Sequence, residues 1–276
     1  MKKVMVIGDV IEDIIVIAGA DRQENTDNQS QISATPGGSG ANFAVWLASL
    51  GVSTELTARV SIADLSRLAT YFNSVGVAPN LQGDPNLATG RIVVLVEGNN
   101  RTFFTDRGAN QNLEIKDLNL GSFDVLYLSG YSVVSLGIEK TQELINLASK
   151  AGALVAVDPG STSFISTFGV DNFLSAIAGS DIFFPNQDEY KLLGSGRDLS
   201  QEFSEVIITK GENGSELLGS LSIPAERVGV IDPTGAGDAF AAKYLAMRLA
   251  GDSVSDSLIA ANRFAAAAVT KAGGQP

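Results

Sequence analysis

Ile231-Asp232-Pro233-Thr234-Gly235-Ala236-Gly237-Asp238-Ala239-Phe240 is the stretch on which the reading of this chain turns. A helical pattern follows it through residue 250, so the small residues 235–237 sit where a helix opens. The first N–H groups of a helix lack intrahelical acceptors, and the aligned peptide dipoles favour an anion there. An acid, Asp238, stands among those amides. One reading makes it a plain cap, worth about 1 kcal/mol to the helix. The other places an acid beside an anion hole, as phosphoryl transfer requires, with one group polarising a hydroxyl while amides take the developing charge. The stretch is neither the GxxxxGK(S/T) loop nor the GxGxxG dinucleotide fingerprint. A dinucleotide-dependent dehydrogenase would also need GxGxxG after its first strand, and none stands there.

Working outward, apolar runs alternate with helical patterns. Residues 4–7, 92–96, 125–128, 154–157, 182–184 and 206–209 read as strands. Residues 41–50, 62–75, 138–150, 171–178 and 186–193 read as helices, followed by 236–250 and 254–271. Near-continuous apolar strands alternating with amphipathic helices imply an α/β fold, a mostly parallel central sheet flanked by helices on both faces. Two stretches fit that sheet poorly. Residues 11–35 carry an apolar run and then a polar segment, and residues 90–105 hold two strand-like runs about a hairpin-like turn, Glu97-Gly98-Asn99-Asn100. They form either a small sheet standing off the main body or ordinary edge strands with a surface loop.

Three further motifs each admit two readings. Pro36-Gly37-Gly38-Ser39-Gly40-Ala41-Asn42-Phe43-Ala44 runs into a helix. Its glycines allow close backbone approach, and Asn42 offers a donor and an acceptor to a polyol, or the loop simply packs tightly. In Pro185-Asn186-Gln187-Asp188-Glu189-Tyr190, Asn186 and Glu189 share a helix face at the carboxyl edge of the sheet. The pair suits a hydrated Mg²⁺ or, equally, a capping box. Ile208-Thr209-Lys210-Gly211-Glu212-Asn213-Gly214 is by itself a strand entering a glycine turn.

Composition narrows the chemistry. The 276 residues include no cysteine and no histidine. Disulfides, Cys/His zinc sites, thiolate nucleophiles and imidazole bases are therefore excluded, leaving acid–base work to Asp, Glu, Lys or Tyr. A formal charge of −12 argues against a nucleic-acid surface, which needs clustered Lys and Arg. The longest apolar stretch, residues 260–269, is too short to span a bilayer. Met1-Lys2-Lys3-Val4 reads straight into a strand and Asp9, Glu12 and Asp13 soon interrupt it, so no signal peptide is expected and a cytoplasmic location is.

In this order the four motifs resemble the ribokinase-like sugar kinases of phosphofructokinase-B type, over nearly the whole chain. The glycine-rich box at residues 37–44 and the box at 232–240 look like the two signatures of that family, with NxxE-like Asn186…Glu189 and TxGxxG-like Thr209…Gly214 between them. The resemblance implies one kinase domain over 1–276, with 11–35 and 90–105 as a lid over the sugar. It implies ATP and Mg²⁺, with Asp238 as the base and the amides of Gly235, Ala236 and Gly237 as the anion hole. Asn186 and Glu189 would organise Mg²⁺ and phosphates largely through water, Thr209 and Gly211 would line the nucleotide site, and Asn262 would lie near adenine. Asp13, Gly38 and Asn42 match sugar-binding positions. In members activated by potassium, the acid at the Asp232 position holds the ion together with the terminal loop, and Asp232 is present here. The lid is a place where two copies of the chain can pair.

The acceptor stays open. The family often has Asn two residues before the substrate-binding Asp, where this chain has Ile11, so ribose is the less secure guess. Arg107 suits the carboxylate of a keto-deoxy sugar acid, or it pairs with Asp106 or is solvated. The Asp158-Pro159-Gly160-Ser161 turn lacks the arginine such sugar-acid kinases often place there, and the segment around 9–35 lacks the basic residues expected for a sugar phosphate. An uncharged sugar is the first expectation. A nucleoside, pseudouridine included, and a sugar acid are the alternatives, with a silent sugar- or nucleotide-binding protein on the same fold as the non-enzymatic one.

Overall fold

Strict alternation in short apolar strands fixes which side chain goes to which side of the sheet. Val4, Val6, Val125, Tyr127, Ala156 and Ile207 enter one core, while Met5, Ile7, Leu126, Leu128, Val155, Val157, Val206 and Ile208 enter the other. Both faces are thus buried, as a parallel sheet requires. The computed structural model describes residues 2–19, 23–97, 100–115, 118 and 120–276. The turn at Gly98-Asn99 expected from sequence lies outside them, as do residues 20–22 of the 11–35 segment.

The strands, in chain order, are β1 (Lys3–Ile7), β2 (Ile11–Ala18), β3 (Ser30–Gly37), β4 (Ser53–Ser61), β5 (Val77–Asp84), β6 (Gly90–Glu97), β7 (Asn100–Asp106), β8 (Val125–Ser129), β9 (Leu154–Asp158), β10 (Ile182–Phe183), β11 (Glu205–Thr209), β12 (Ser215–Leu217) and β13 (Leu221–Ile223). The helices are α1 (Ser39–Ser49), α2 (Leu65–Ser74), α3 (Gly130–Lys150), α4 (Thr162–Phe168), α5 (Val170–Ile177), α6 (Gln187–Leu193), α7 (Ala236–Ala250) and α8 (Val254–Ala268). Nine strands form the main sheet in the order β13-β12-β11-β10-β9-β8-β1-β4-β5. The pairings from β11 across to β5 are parallel, and β12 and β13 add an antiparallel edge. One core lies under α1, α2, α7 and α8, the other under α3, α5 and α6.

A second sheet has the order β3-β2-β6-β7, with β2 and β6 parallel at its centre. The two stretches that fit the main sheet poorly therefore fold together, and the reading of them as ordinary edge strands is set aside. The strands expected from sequence do not include β4 and β5. β4 buries Thr54 and Thr57 beside Leu56, Ala58 and Val60, so two of its five buried residues are polar. α3 starts at Gly130, ahead of the helix expected over 138–150. It continues through a kink at Gly137, whose φ of 75° interrupts the periodicity.

Candidate active site

Five neighbouring strands deliver polar residues at their carboxyl ends: Asp9 after β1, Ser129 on β8, Asp158 on β9, Asn186 after β10 and Thr209 on β11. That edge is where ligands of open α/β sheets collect. The chain leaves β1 through Gly8, which lies against Gly40 of α1. A Cβ on Gly8 would stand 2.6 Å from the Gly40 Cα, and one on Gly40 would stand 2.4 Å from the Gly8 Cα. Only a pair of glycines lets the start of α1 close on Asp9. The Asp9 carboxylate then accepts from Gly40 N–H at 3.1 Å and Ser129 Oγ at 2.9 Å.

α7 opens at Gly235, which caps it in the left-handed region at φ 74°. The amides of Gly235 and Gly237 meet no acceptor among the described residues. Ala236 N–H, expected to be free, instead donates to the Pro233 carbonyl at 3.3 Å, because the chain makes a tight turn before the helix. Among the described residues the Asp238 carboxylate accepts from no backbone N–H of its own helix. Its carboxylate crosses to α1, where Ser39 Oγ donates to Oδ1 at 2.8 Å and Asn42 Nδ2 to Oδ2 at 3.4 Å. The cap reading of this acid is therefore not what the structure holds. Burial pushes the Asp238 carboxyl up to about 7, with Asp9 and Asp13 adding to the rise and the two hydrogen bonds opposing it.

Asp238 stands where two cavities meet. The first, about 470 Å³, runs beneath the small sheet and is lined by Asp13, Gly38, Asn42, Arg107 and Asp232 together with Asp238. The second, about 580 Å³, runs along the strand ends and is lined by Asp158, Asn186, Glu189, Thr209 and residues 235–237, again with Asp238. Burial, then the nearby Asp9, raises the Asp13 carboxyl to about 7. Burial raises Asp158 as well, with Glu189 and Asp238 adding to it. Two expected residues lie outside both linings. Gly211 is exposed in the turn after β11, and Asn262 on α8 donates to the Ile223 carbonyl at 3.1 Å.

Asn186 and Glu189 do form a capping box on α6. Asn186 Oδ1 accepts from Glu189 N–H and Glu189 Oε2 from Asn186 N–H, at 2.9 and 2.8 Å. The same carboxylate is nearly inaccessible, and burial raises it to about 7 against those capping bonds. Capping and cavity lining coexist here. A cation in the second cavity would relieve the cost of ionising Glu189 beside Asp158. With the acceptor-free amides at 235 and 237, this donor set fits a metal–polyphosphate group.

Arg107 is not solvated and does not pair with Asp106. Its Nη1 lies 3.2 Å from Asp9 Oδ2, while Asp106 Oδ1 accepts from Gly108 N–H. Its guanidinium sits 4.6 Å over the Tyr131 ring and 5.8 Å from Phe164. Nη2 is buried and has no partner among the described residues. Motif reading does not single out Asp9, takes Tyr131 only as one of several aromatics able to wall a nucleobase, and holds Ser39 and Gln275 only within longer stretches. The last belongs to a terminal segment that folds back on the site. Gly273 N–H donates to Asp232 Oδ2 at 3.0 Å, and the Gly274 carbonyl accepts from Trp46 Nε1 at 2.8 Å.

A family model, pfkB family carbohydrate kinase, matches residues 1–276. Among curated proteins the chain is 31% identical over 263 residues to the bifunctional protein HldE of Sodalis glossinidius (strain morsitans), covering 88% of this chain and 53% of that protein. It is 27% identical over 301 residues to HldE of Shewanella sp. (strain ANA-3), covering 98% and 60%. The chain thus spans about half the length of these relatives. A probable sugar kinase from Rhizobium etli CFN 42 superposes with a TM-score of 0.86 at 22% identity, over 100% of this chain and 95% of its own. The nucleoside kinase of Methanocaldococcus jannaschii, an archaeal ribokinase-family member, gives 0.85 at 22% identity, over 100% and 94%. A putative ribokinase II from E. coli in complex with ATP and Mg²⁺ gives 0.85 at 21% identity, over 99% and 94%. At these identities the three share the fold.

Proposed function

This chain belongs to the pfkB family of carbohydrate kinases, and we propose that it moves the γ-phosphoryl group of ATP to a hydroxyl of a small uncharged sugar. The observation that carries this is the placement of Asp238: an acid in the first turn of α7, not capping it, at the meeting of two cavities. The acceptor occupies the first cavity, where Asp13, Gly38 and Asn42 hold its hydroxyls. ATP supplies the phosphoryl group from the second cavity, and Mg²⁺ its charge neutralisation, with Glu189, Asn186 and Thr209 as the residues that hold them. Asp238 takes the proton of the attacking hydroxyl as its oxygen bonds to the γ-phosphorus, while the bond from that phosphorus to the bridging oxygen breaks and ADP leaves. The amides of Gly235 and Gly237, with Ala236 once its weak turn bond yields, receive the charge on the transferred group.

The small sheet is the lid of this single kinase unit, closing to exclude water from transfer. Asp232 is the place for a potassium ion, since its carboxylate ties residue 234 to the returning terminal segment. The chain works in the cytoplasm, and two copies pair through their lids. No helix among the described residues is long and apolar enough to cross a membrane.

A nucleoside acceptor is the second reading. The first cavity is apolar towards the lid (Ile15, Ile17, Val94, Val96 and Phe103) with Tyr131 and Phe164 at its wall, surroundings suited to a planar base. The Asp9–Arg107 pair also favours an uncharged acceptor, because that arginine's charge is already matched. A coupled ADP-release screen over pentoses, hexoses, sugar acids and nucleosides tests all of these. Release with a pentose or hexose supports the first reading, and release with nucleosides alone selects the second. Binding without ADP release from any acceptor would leave a silent binding protein.

A further inference from the structure

Gln275 joins three separate pieces of the molecule. Its Nε2 donates to the Pro36 carbonyl at the end of β3 and to Asn42 Oδ1 on α1, each at 3.0 Å. Its Oε1 accepts from the Tyr71 hydroxyl of α2. The Pro36 carbonyl can only accept, so the amide group of Gln275 must face it, and Oε1 must face Tyr71. The direction of every bond follows from that fixed point. Asn42 has to turn Oδ1 towards Gln275, which leaves its Nδ2 for Asp238 Oδ2 at 3.4 Å. Asn42 is 5% exposed, so water does not readily replace either partner.

We propose that Gln275 is a positioning residue: by donating to Asn42 it fixes the direction of that amide and keeps a hydrogen-bond donor, not an acceptor, aimed at Asp238. This rests on the reading of Asp238 as the base. A donor at Oδ2 favours the ionised carboxylate that can accept a proton, whereas a flipped Asn42 would present Oδ1 and favour the protonated acid. Asp238 has an unusual need for such a device. Burial already raises it, and Asp9 and Asp13 face it from the β1–β2 side. Asp158 at the end of β9 and Tyr127 and Tyr131 of β8 and α3 also lie within its field. Arg107 is matched to Asp9. Ser39 supplies the other donor, at Oδ1, but a hydroxyl can rotate and serve either protonation state.

The test compares Gln275→Glu with Gln275→Met. Glutamate keeps the shape and the acceptor for Tyr71, yet it cannot donate to Pro36 or Asn42. It would draw Asn42 Nδ2 to itself and turn Oδ1 onto Asp238. Methionine fills the space and merely releases Asn42. In protein labelled with ¹³C at the aspartate carboxyl carbon, with the Asp238 signal assigned by its loss in Asp238→Asn, the titration midpoint is expected to rise in both variants. The rise should be about one pH unit or more, and larger for Gln275→Glu. The charge of Gln275→Glu would by itself raise the midpoint, so the neutral Gln275→Met decides: a purely structural role of Gln275 leaves its midpoint at the parent value. An unchanged midpoint in Gln275→Met overturns the proposal. Tyr71→Phe, which loosens Gln275 from the far side, gives the same readout with a smaller shift if Gln275→Met does not fold. The titration needs no acceptor. Turnover of Asp238→Asn in the ADP-release screen judges the base separately, so either idea can fail without the other.

Discussion

Asp238 concentrates what a single residue contributes. Its carboxyl is raised to about 7 chiefly by burial, and it acts as a base only when ionised. Turnover at saturating ATP should therefore rise with pH through about 7 and level off above it. Asp238→Asn should cost roughly 10²- to 10⁴-fold in kcat while ATP affinity is kept; near-normal turnover would show that another group takes the proton. The same shift bears on stability. A carboxyl whose folded value is raised from 3.8 to about 7 holds its proton in the native state after the unfolded chain has lost it. Its unfavourable contribution is absent below pH 3.8, grows as pH climbs to about 7, and is then constant. Thermal melts should thus show the difference between Asp238→Asn and the parent moving in the variant's favour from about pH 4 to about pH 7 and flattening beyond. Asp238 was legible as an acid among small residues at a helix start. Its partners Ser39 and Asn42 were not legible as partners, being 199 and 196 residues away, and no local spacing encodes such a contact.

At the scale of the element, α7 is held open by two glycines with different duties. Gly235 sits at φ 74°, and a Cβ there would meet the Gly274 carbonyl oxygen at 2.5 Å. Gly237 lies within the helix and faces open space. Gly235→Ala should destabilise by about 1–2 kcal/mol or more and cut turnover, because the turn that frees the amides must shift. Gly237→Ala should be neutral or stabilising by about 0.4–1 kcal/mol, since it lowers only the entropy of the unfolded chain. Urea unfolding of the two variants checks this, and equal costs would refute the division of roles. Elements were read from sequence where one periodicity ruled. The buried strands β1, β8, β9 and β11 were plain, each being an unbroken apolar run. β4 was hidden because it is interior yet buries threonines. The first part of α3 was hidden because Gly137 breaks the pattern within it.

The whole molecule has a feature that neither its core nor its catalytic edge explains: the small sheet is apolar on both faces. Pairing β2 with β6 and β6 with β7 puts Ile15, Ile17, Val94, Val96 and Phe103 on the cavity side. The alternation of a strand then puts Ile14, Val16, Val93, Leu95 and Phe104 on the other, with Ile32 of β3 opposite Val16. Ile32 and Phe104 are 68% and 59% exposed. A net charge of −12 would keep copies of the chain apart unless such a patch brought them together. A surface that meets its own copy about a twofold axis needs only to be self-complementary. Two adjacent phenylalanines therefore have separable consequences under the lid reading. Phe104→Ala should weaken self-association at least tenfold in sedimentation velocity while the acceptor KM stays near the parent value. Phe103→Ala, whose ring borders both cavities, should raise the acceptor KM several-fold and leave self-association unchanged. If both variants shift the same quantity, the sheet does not have one face for the substrate and one for a second copy.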